Sequence, residues 1–337
     1  MSQVSKIALV GPRFFSYIEA IRSSFVERNF RAEFFDERHS NSILSKILYR
    51  VGFFEFFPYR KRKHLEGIRN RIISEGFTHV VLIDVEVCDL TFVQELKAKG
   101  IFVYIYMWDS SRNKPRFLKY LSELNGTSSF DPLDCEEHGM KYIPLFAEKD
   151  FCVSEKALVS VENSVVFSFC GTLHSDRAKY LKQLESFAKG AMFRVEFLVF
   201  FHSRFLLFLK SISCPANLWF LFRVSTKGFS KKRVAELFAS STFVLDVPHP
   251  GQNGLTARTF EVLRSGSRLI TFNKHAAKLP YSLPQRLFIC EHMNDLQKVD
   301  YQNLLPLPAL SQEEDYFLSL DRFVDQLLDL MNLDTRV

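Results

Sequence analysis

Short runs that are apolar on both faces, separated by helix-length segments, constrain this chain more than any other feature. Ile7, Ala8, Leu9 and Val10 form the first run, stopped by Gly11 and Pro12 and followed by a helical stretch over about 15–29. A second strand is expected over 31–35, and a third, the apolar run 78–84, passes through Thr91 into a helical 92–97 that Gly100 ends. The run 101–106 follows at once, and 126–130 and 141–145 fit the last strands of the series. A strand without a polar face must be covered on both sides, the condition met when a parallel sheet is wound between two helix layers. The pattern predicts an α/β fold.

The same alternation restarts after about residue 157. Strands are expected at 165–170, 193–200, 242–246 and 268–271, with helices at 175–189, 231–240, after Thr256, and over 315–331. For 337 residues two domains are the natural division. The expected halves are 1–155 and 156–337, two Rossmann-like doubly wound domains facing a central cleft, with the last helix free to pack back on the first.

Composition narrows the function classes. The net charge of +6 suits an anionic ligand or an anionic membrane surface but is too weak to indicate nucleic acid. Thirty-six Phe are more than two modest cores need, so some are expected at an interface, in a ligand cleft or against lipid. Cys88, Cys135, Cys152, Cys170, Cys214 and Cys290 form no Cys-x-x-Cys pair and no zinc spacing. They read as small buried hydrophobes in a reducing compartment. The N-terminus runs straight into a strand pattern and no apolar stretch approaches bilayer-spanning length, so a cytoplasmic protein is expected.

The chemistry concentrates between 245 and 273. There a strand ending in Asp246 gives way to a Pro- and Gly-rich loop containing His249, Gly251, Gln252, Asn253, Gly254 and Leu255. A helix opens at about Thr256, Gly266 stops it, and another strand follows. Gly251 and Gly254 permit close backbone approach, and the helix start aims free N–H groups into the same space, as an anion site requires. Arg258 and Glu261, three apart, share a helix face, while Phe260 and Leu263 are expected to face the sheet. Taken alone, the pair could be an ordinary solvated salt bridge.

The segment resembles the donor-binding region of GT-B glycosyltransferases, especially the spore-maturation-type and lipopolysaccharide-biosynthesis branch. The shared core, Gln-x-Gly-Leu-Thr-x-Arg-x-x-Glu, is Gln252, Gly254, Leu255, Thr256, Arg258 and Glu261. Asp246, Gly266, Thr271 and Asn273 also fit, as do Phe169 to Thr172 with Arg177, Trp108 to Ser110, and Asp131 with Asp134. The resemblance implies a metal-independent sugar transfer with no cofactor beyond the activated donor. It also implies that Glu261 contacts the nucleotide ribose. Where the common retaining pattern has a first glutamate this chain has Asn253, so the stereochemical outcome stays open.

Further expectations follow from position. Gly171, Thr172 and Arg177 read either as phosphate contacts or as a turn with a solvated side chain. Lys227 before Gly228 reads as a diphosphate lysine, and His249 as a donor contact or a structural residue. Asp109 and Asp84 end strands where open parallel sheets bind ligands, and either is a candidate for the base that takes the acceptor proton. Residues 43–64, bulky apolar positions followed by Arg60, Lys61, Arg62, Lys63 and His64, read as a peripheral contact with anionic membrane. The apolar and basic stretch 204–210 reads so more weakly. The implied acceptor is a glycan or lipid-linked glycan of lipopolysaccharide, O-antigen or capsule, and the partners include no nucleic acid. Three rivals stay open: a non-catalytic sugar-nucleotide-binding or membrane scaffold subunit, a nucleotide-dependent epimerase or dehydrogenase, and a donor activated by diphosphate alone. The single glycine after the first strand argues against the second of these, the epimerase or dehydrogenase.

Overall fold

The computed structural model describes residues 5–13, 16–38, 58–152, 165–173, 176–249, 253–280 and 285–334. The chain divides into two compact units. The first is Met1–Leu145 with Gly251–Gly254 and Leu320–Val337; the second is Phe146–Pro250 with Leu255–Ser319.

In the first unit, β1 (Lys6–Gly11), β2 (Arg31–Asp36), β3 (His79–Ile83), β4 (Phe102–Met107), β5 (Gly126–Ser129) and β6 (Lys141–Tyr142) form one parallel sheet ordered β2-β1-β3-β4-β5-β6. Ile7 to Val10 and Val80 to Ile83 are wholly buried, which accounts for their lack of a polar face. Gly11 is required by close approach, because a Cβ there would lie 2.2 Å from the Ile83 carbonyl oxygen. The strand expected over 141–145 stops after two residues. Pro144 has no N–H to donate, and the carbonyls of Pro144 and Leu145 accept from Arg322 at 2.7 and 2.6 Å.

In the second unit, β7 (Val166–Thr172), β8 (Arg194–Phe200), β9 (Phe243–Asp246), β10 (Arg268–Thr271) and β11 (Leu287–Ile289) form a parallel sheet ordered β11-β10-β9-β7-β8. The sequence reading lacked β11, a three-residue edge strand too short to carry a pattern. Part of the phenylalanine content fills this core. Phe167 stacks on Phe243 with centroids 5.2 Å apart, and Phe187, Phe193 and Tyr301 close around it.

The described helices are α1 (Tyr17–Glu27), α2 (Pro58–Ser74), α3 (Leu90–Lys97), α4 (Pro132–His138), α5 (Arg177–Gly190), α6 (Arg204–Ser211), α7 (Lys231–Ala239), α8 (Ala257–Arg264), α9 (Gln312–Leu318) and α10 (Leu320–Leu330). The single helix expected over 315–331 is therefore two. Ser319 is extended between them because Ala147 bridges to it and donates its N–H to the Leu318 carbonyl at 2.8 Å. Beyond that break α10 belongs to the first unit. Arg28 binds Asp321 and Asp325 at 3.0 Å each, and Phe323 packs edge-on against Tyr106 at 4.8 Å. No described helix is long and apolar enough to cross a membrane.

All six cysteines are free. Cys88, Cys170 and Cys290 are buried as read, but Cys152 is exposed. Of the stretch 43–64, residues 43–57 lie outside the described residues. Arg60 to His64 stand in α2, where Lys61 pairs with Asp89 at 3.3 Å and His64 Nε2 lies 2.9 Å from the Asp36 carbonyl oxygen.

Candidate functional site

Strand order reverses between β7 and β9, and open parallel sheets bind ligands beyond the carboxyl ends of their strands at such a point. Three predicted groups meet there: Gly171 and Thr172 at the end of β7, Asp246 at the end of β9, and the start of α8. Asp246 is buried, and its Oδ2 accepts from the hydroxyls of Thr256 at 3.3 Å and Thr259 at 3.5 Å. Burial pushes its carboxyl up, against the opposing fields of Arg177 and Arg258. Thr256 holds the N-cap position of α8, yet its side chain turns to Asp246 and caps no helix amide. The N-cap side chain therefore does not occupy the helix start, and helix starts of this kind favour an anion.

Arg258 Nη1 donates to Glu261 Oε2 at 2.7 Å, and the guanidinium lies over the Phe238 ring at 4.8 Å. This is not a solvated pair: the side chains are 22% and 3% exposed. Phe260 is wholly buried, and its ring lies against Phe317 of α9 with centroids 6.3 Å apart. Arg177 is committed to backbone. Its Nε and Nη2 donate to the Val247 carbonyl at 2.9 and 2.7 Å, and Nη1 to the Thr172 carbonyl at 3.1 Å. It clamps the loops after β7 and β9 together, and burial brings its pKa down to about 10, with Asp246 opposing. Gly171 leaves room for this clamp, since a Cβ there would meet the Phe169 ring at 3.0 Å and Arg177 Nη1 at 3.4 Å.

The remaining donor candidates are distributed differently. Gln252 lies outside the described residues. Asn253 donates its backbone N–H to Asp131 Oδ2 at 3.1 Å, and a Cβ on Gly254 would lie 2.5 Å from the Phe130 ring. The glycine expected to admit a ligand is thus required by a phenylalanine. Leu255 is buried, His249 is half-buried, and Lys227 stands exposed on a turn after β8 that Ser225 braces.

In the first unit the order reverses between β1 and β3, and a second polar cluster follows β3. Asp84, in the left-handed region at φ 51°, is 3% exposed and pairs through Oδ2 with Lys114, while its Oδ1 is buried with no hydrogen-bond partner. Burial raises its carboxyl to about 7, with Lys114 opposing and Asp109 adding to the rise. Lys114 also reaches Glu86 Oε1 at 3.0 Å, and Arg38 binds Glu86 at 2.6 Å. The wholly buried Glu37 accepts from the backbone N–H groups of Glu86, Val87 and Cys88 at 2.6–2.9 Å and so fixes this loop. Asp109 is half-buried, its Oδ1 accepting from Ser110 N at 3.0 Å and Asn113 Nδ2 at 2.9 Å. Sequence reasoning found Asp84 and Asp109 but missed Glu37, Arg38, Glu86 and Lys114; the available signal was Glu37 and Arg38 directly following β2.

Whole-chain comparison decides the architecture. The lipopolysaccharide outer core galactosyltransferase WaaB superposes with a TM-score of 0.56 at 14% identity, covering 97% of this chain and 99% of its own. The Anabaena protein HepE, solved with UDP and glucose, gives 0.63 at 10% identity over 97% and 99%. The fold is GT-B. UDP-GlcNAc 2-epimerase from Methanocaldococcus jannaschii, solved with UDP-GlcNAc and UDP, shares it with a TM-score of 0.51 at 10% identity over 98% and 99%. No family model matches the chain, and no curated protein matches it in sequence. In this GT-B chain both units thus carry their polar clusters at the carboxyl edge of the sheet, beside the strand-order reversal.

Proposed function

We propose that the chain is a glycosyltransferase that moves a sugar from a nucleotide-linked donor onto a glycan or lipid-linked glycan of lipopolysaccharide, O-antigen or capsule, at the inner face of the cytoplasmic membrane. The buried Arg258–Glu261 pair on α8, opening beside Asp246 at a helix start that the Thr256 side chain does not cap, carries this reading. The motif resemblance, the GT-B fold and the sugar nucleotides bound by structures of that fold support it. Glu261 accepts from the ribose hydroxyls, Arg258 and the α8 amides face the diphosphate, and Arg177 keeps the two loops in register. As the glycosidic bond breaks, negative charge grows on the leaving phosphate, which fixed N–H groups and a cation stabilise without reorganising. Asp109 takes the proton of the acceptor hydroxyl. It is reachable from solvent, whereas Asp84 is enclosed by its pairing with Lys114 and acts on the neighbouring field.

The epimerase reading is kept alive by the shared fold, and product analysis separates the two. Incubation with a panel of sugar nucleotides and lipid-linked glycan should release free nucleotide in step with acceptor glycosylation. A sugar nucleotide converted to its isomer without glycosylated product would replace the transferase reading. Binding without turnover, across a range of acceptors, would favour the scaffold.

A further inference from the structure

Between Glu196 and Glu236 the sequence has no acidic residue, but it has seven Lys or Arg, from Arg204 to Arg233. That tract carries +7 against +6 for the whole chain, so the rest of the molecule is −1. The same tract gathers the exposed apolar side chains. Of seventeen large exposed hydrophobics among the described residues, eight fall within 205–222.

They sit on two elements packed against each other. α6 buries Leu207 and Ser211 toward its own unit and turns Phe205, Phe208 and Ile212 outward, 68, 50 and 80% exposed. A surface helix ordinarily shows its polar face to water; this one is reversed. The 3-10 turn Pro215–Phe220 packs beside it and adds Trp219, 50% exposed, with Phe222, 83% exposed, just beyond. Lys182 and Arg223 lie over the Trp219 ring at 5.6 Å each, and Lys210 over Phe201 at 5.4 Å. Arg223 and Arg233 are paired with Glu185 and Glu196, while Arg204, Lys210, Lys227 and Lys232 are exposed with no ion-pair partner among the described residues.

We infer that this surface docks the protein on an anionic lipid bilayer. Phe205, Phe208, Ile212, Trp219 and Phe222 enter the headgroup region, and the surrounding cations gather acidic lipids. Exposed apolar side chains beside the exposed Arg204, Lys210, Lys227 and Lys232 match what an interfacial surface needs, the neighbouring Glu185 being held by Trp219 and Arg223. Placement adds an argument. α6 follows directly from the carboxyl end of β8, the sheet edge where Thr172 and Asp246 stand, so docking would bring the candidate donor pole toward the membrane. The inference extends the proposed transfer reaction, but its test needs neither donor nor turnover.

The full-length protein is sedimented with vesicles of phosphatidylcholine alone or mixed with phosphatidylglycerol. Binding is expected with the mixed vesicles, weakening as salt rises. It should fall roughly tenfold or more in Phe205→Ser/Phe208→Ser/Phe222→Ser and again in Lys210→Glu/Lys232→Glu, with unchanged circular dichroism. Brominated acyl chains should quench the indole fluorescence, and Trp219→Phe should remove that quenching. Vesicle binding equal in all these variants would overturn the proposal. So would a wild-type dimer in sedimentation velocity that the triple variant makes monomeric, since the face would then belong to a second copy of the chain.

Discussion

At the residue scale, two buried carboxylates are held in different ways. Glu261 is buried and pairs with the Arg258 guanidinium. Glu261→Gln keeps the shape and removes the charge, and a hydrogen bond to a charged group contributes about 1.5–3 kcal/mol, so donor affinity should drop roughly ten- to hundredfold. Asp84 is a stability determinant whose effect depends on pH. Its folded pKa of about 7 lies above the ordinary 3.8, so the folded state binds the proton more tightly. Its contribution is therefore present at low pH and is lost as pH rises from about 4 through about 7. Thermal melts across that range should show wild-type stability falling, relative to Asp84→Asn, as pH increases. A slope of the opposite sign would mean that the Lys114 pair outweighs burial. Asp109→Asn should instead leave donor binding intact while lowering transfer by about 10²–10⁴-fold, the usual range for loss of a general base.

At the element scale, glycines separate close approach from simple tolerance. At Gly254 a Cβ would lie 2.5 Å from the Phe130 ring, so Gly254→Ala should cost about 1–3 kcal/mol in denaturant unfolding. Gly190 ends α5 with nothing within 4 Å of a Cβ, so Gly190→Ala should be neutral or stabilising by up to about 1 kcal/mol. The strands from Ile7, Thr78 and Thr242 were legible because covering both faces leaves only apolar residues to read. Pro132–His138 and Gln312–Leu318 were not, being too short for a helical period to repeat. The motif from Asp246 to Glu261 marked where chemistry sits, yet not the clamp of Arg177 on the Thr172 and Val247 carbonyls. Backbone acceptors have no residue-type signature. The requirement for Gly254 was equally hidden, because it comes from Phe130, far earlier in the chain.

At the scale of the whole molecule, chain order and compact units do not coincide. The chain leaves the second unit at Ser319 and completes the first with α10. There Phe323 covers Tyr106, Arg322 holds the Pro144 and Leu145 carbonyls, and a Cβ on Gly126 would lie 3.1 Å from Leu330. Removing residues 320–337 should therefore expose the first unit to limited proteolysis ahead of the second. A GT-B fold built this way supplies two sheet edges with polar clusters, of which the one at α8 is the proposed donor site.

Calorimetric titration of sugar nucleotides into the wild type, Glu261→Gln and Arg258→Gln tests that assignment most directly. One nucleotide family should bind the wild type, and both folded variants should lose its affinity roughly tenfold or more. Full-strength binding of that donor in both variants would contradict the assignment and move the donor site away from α8.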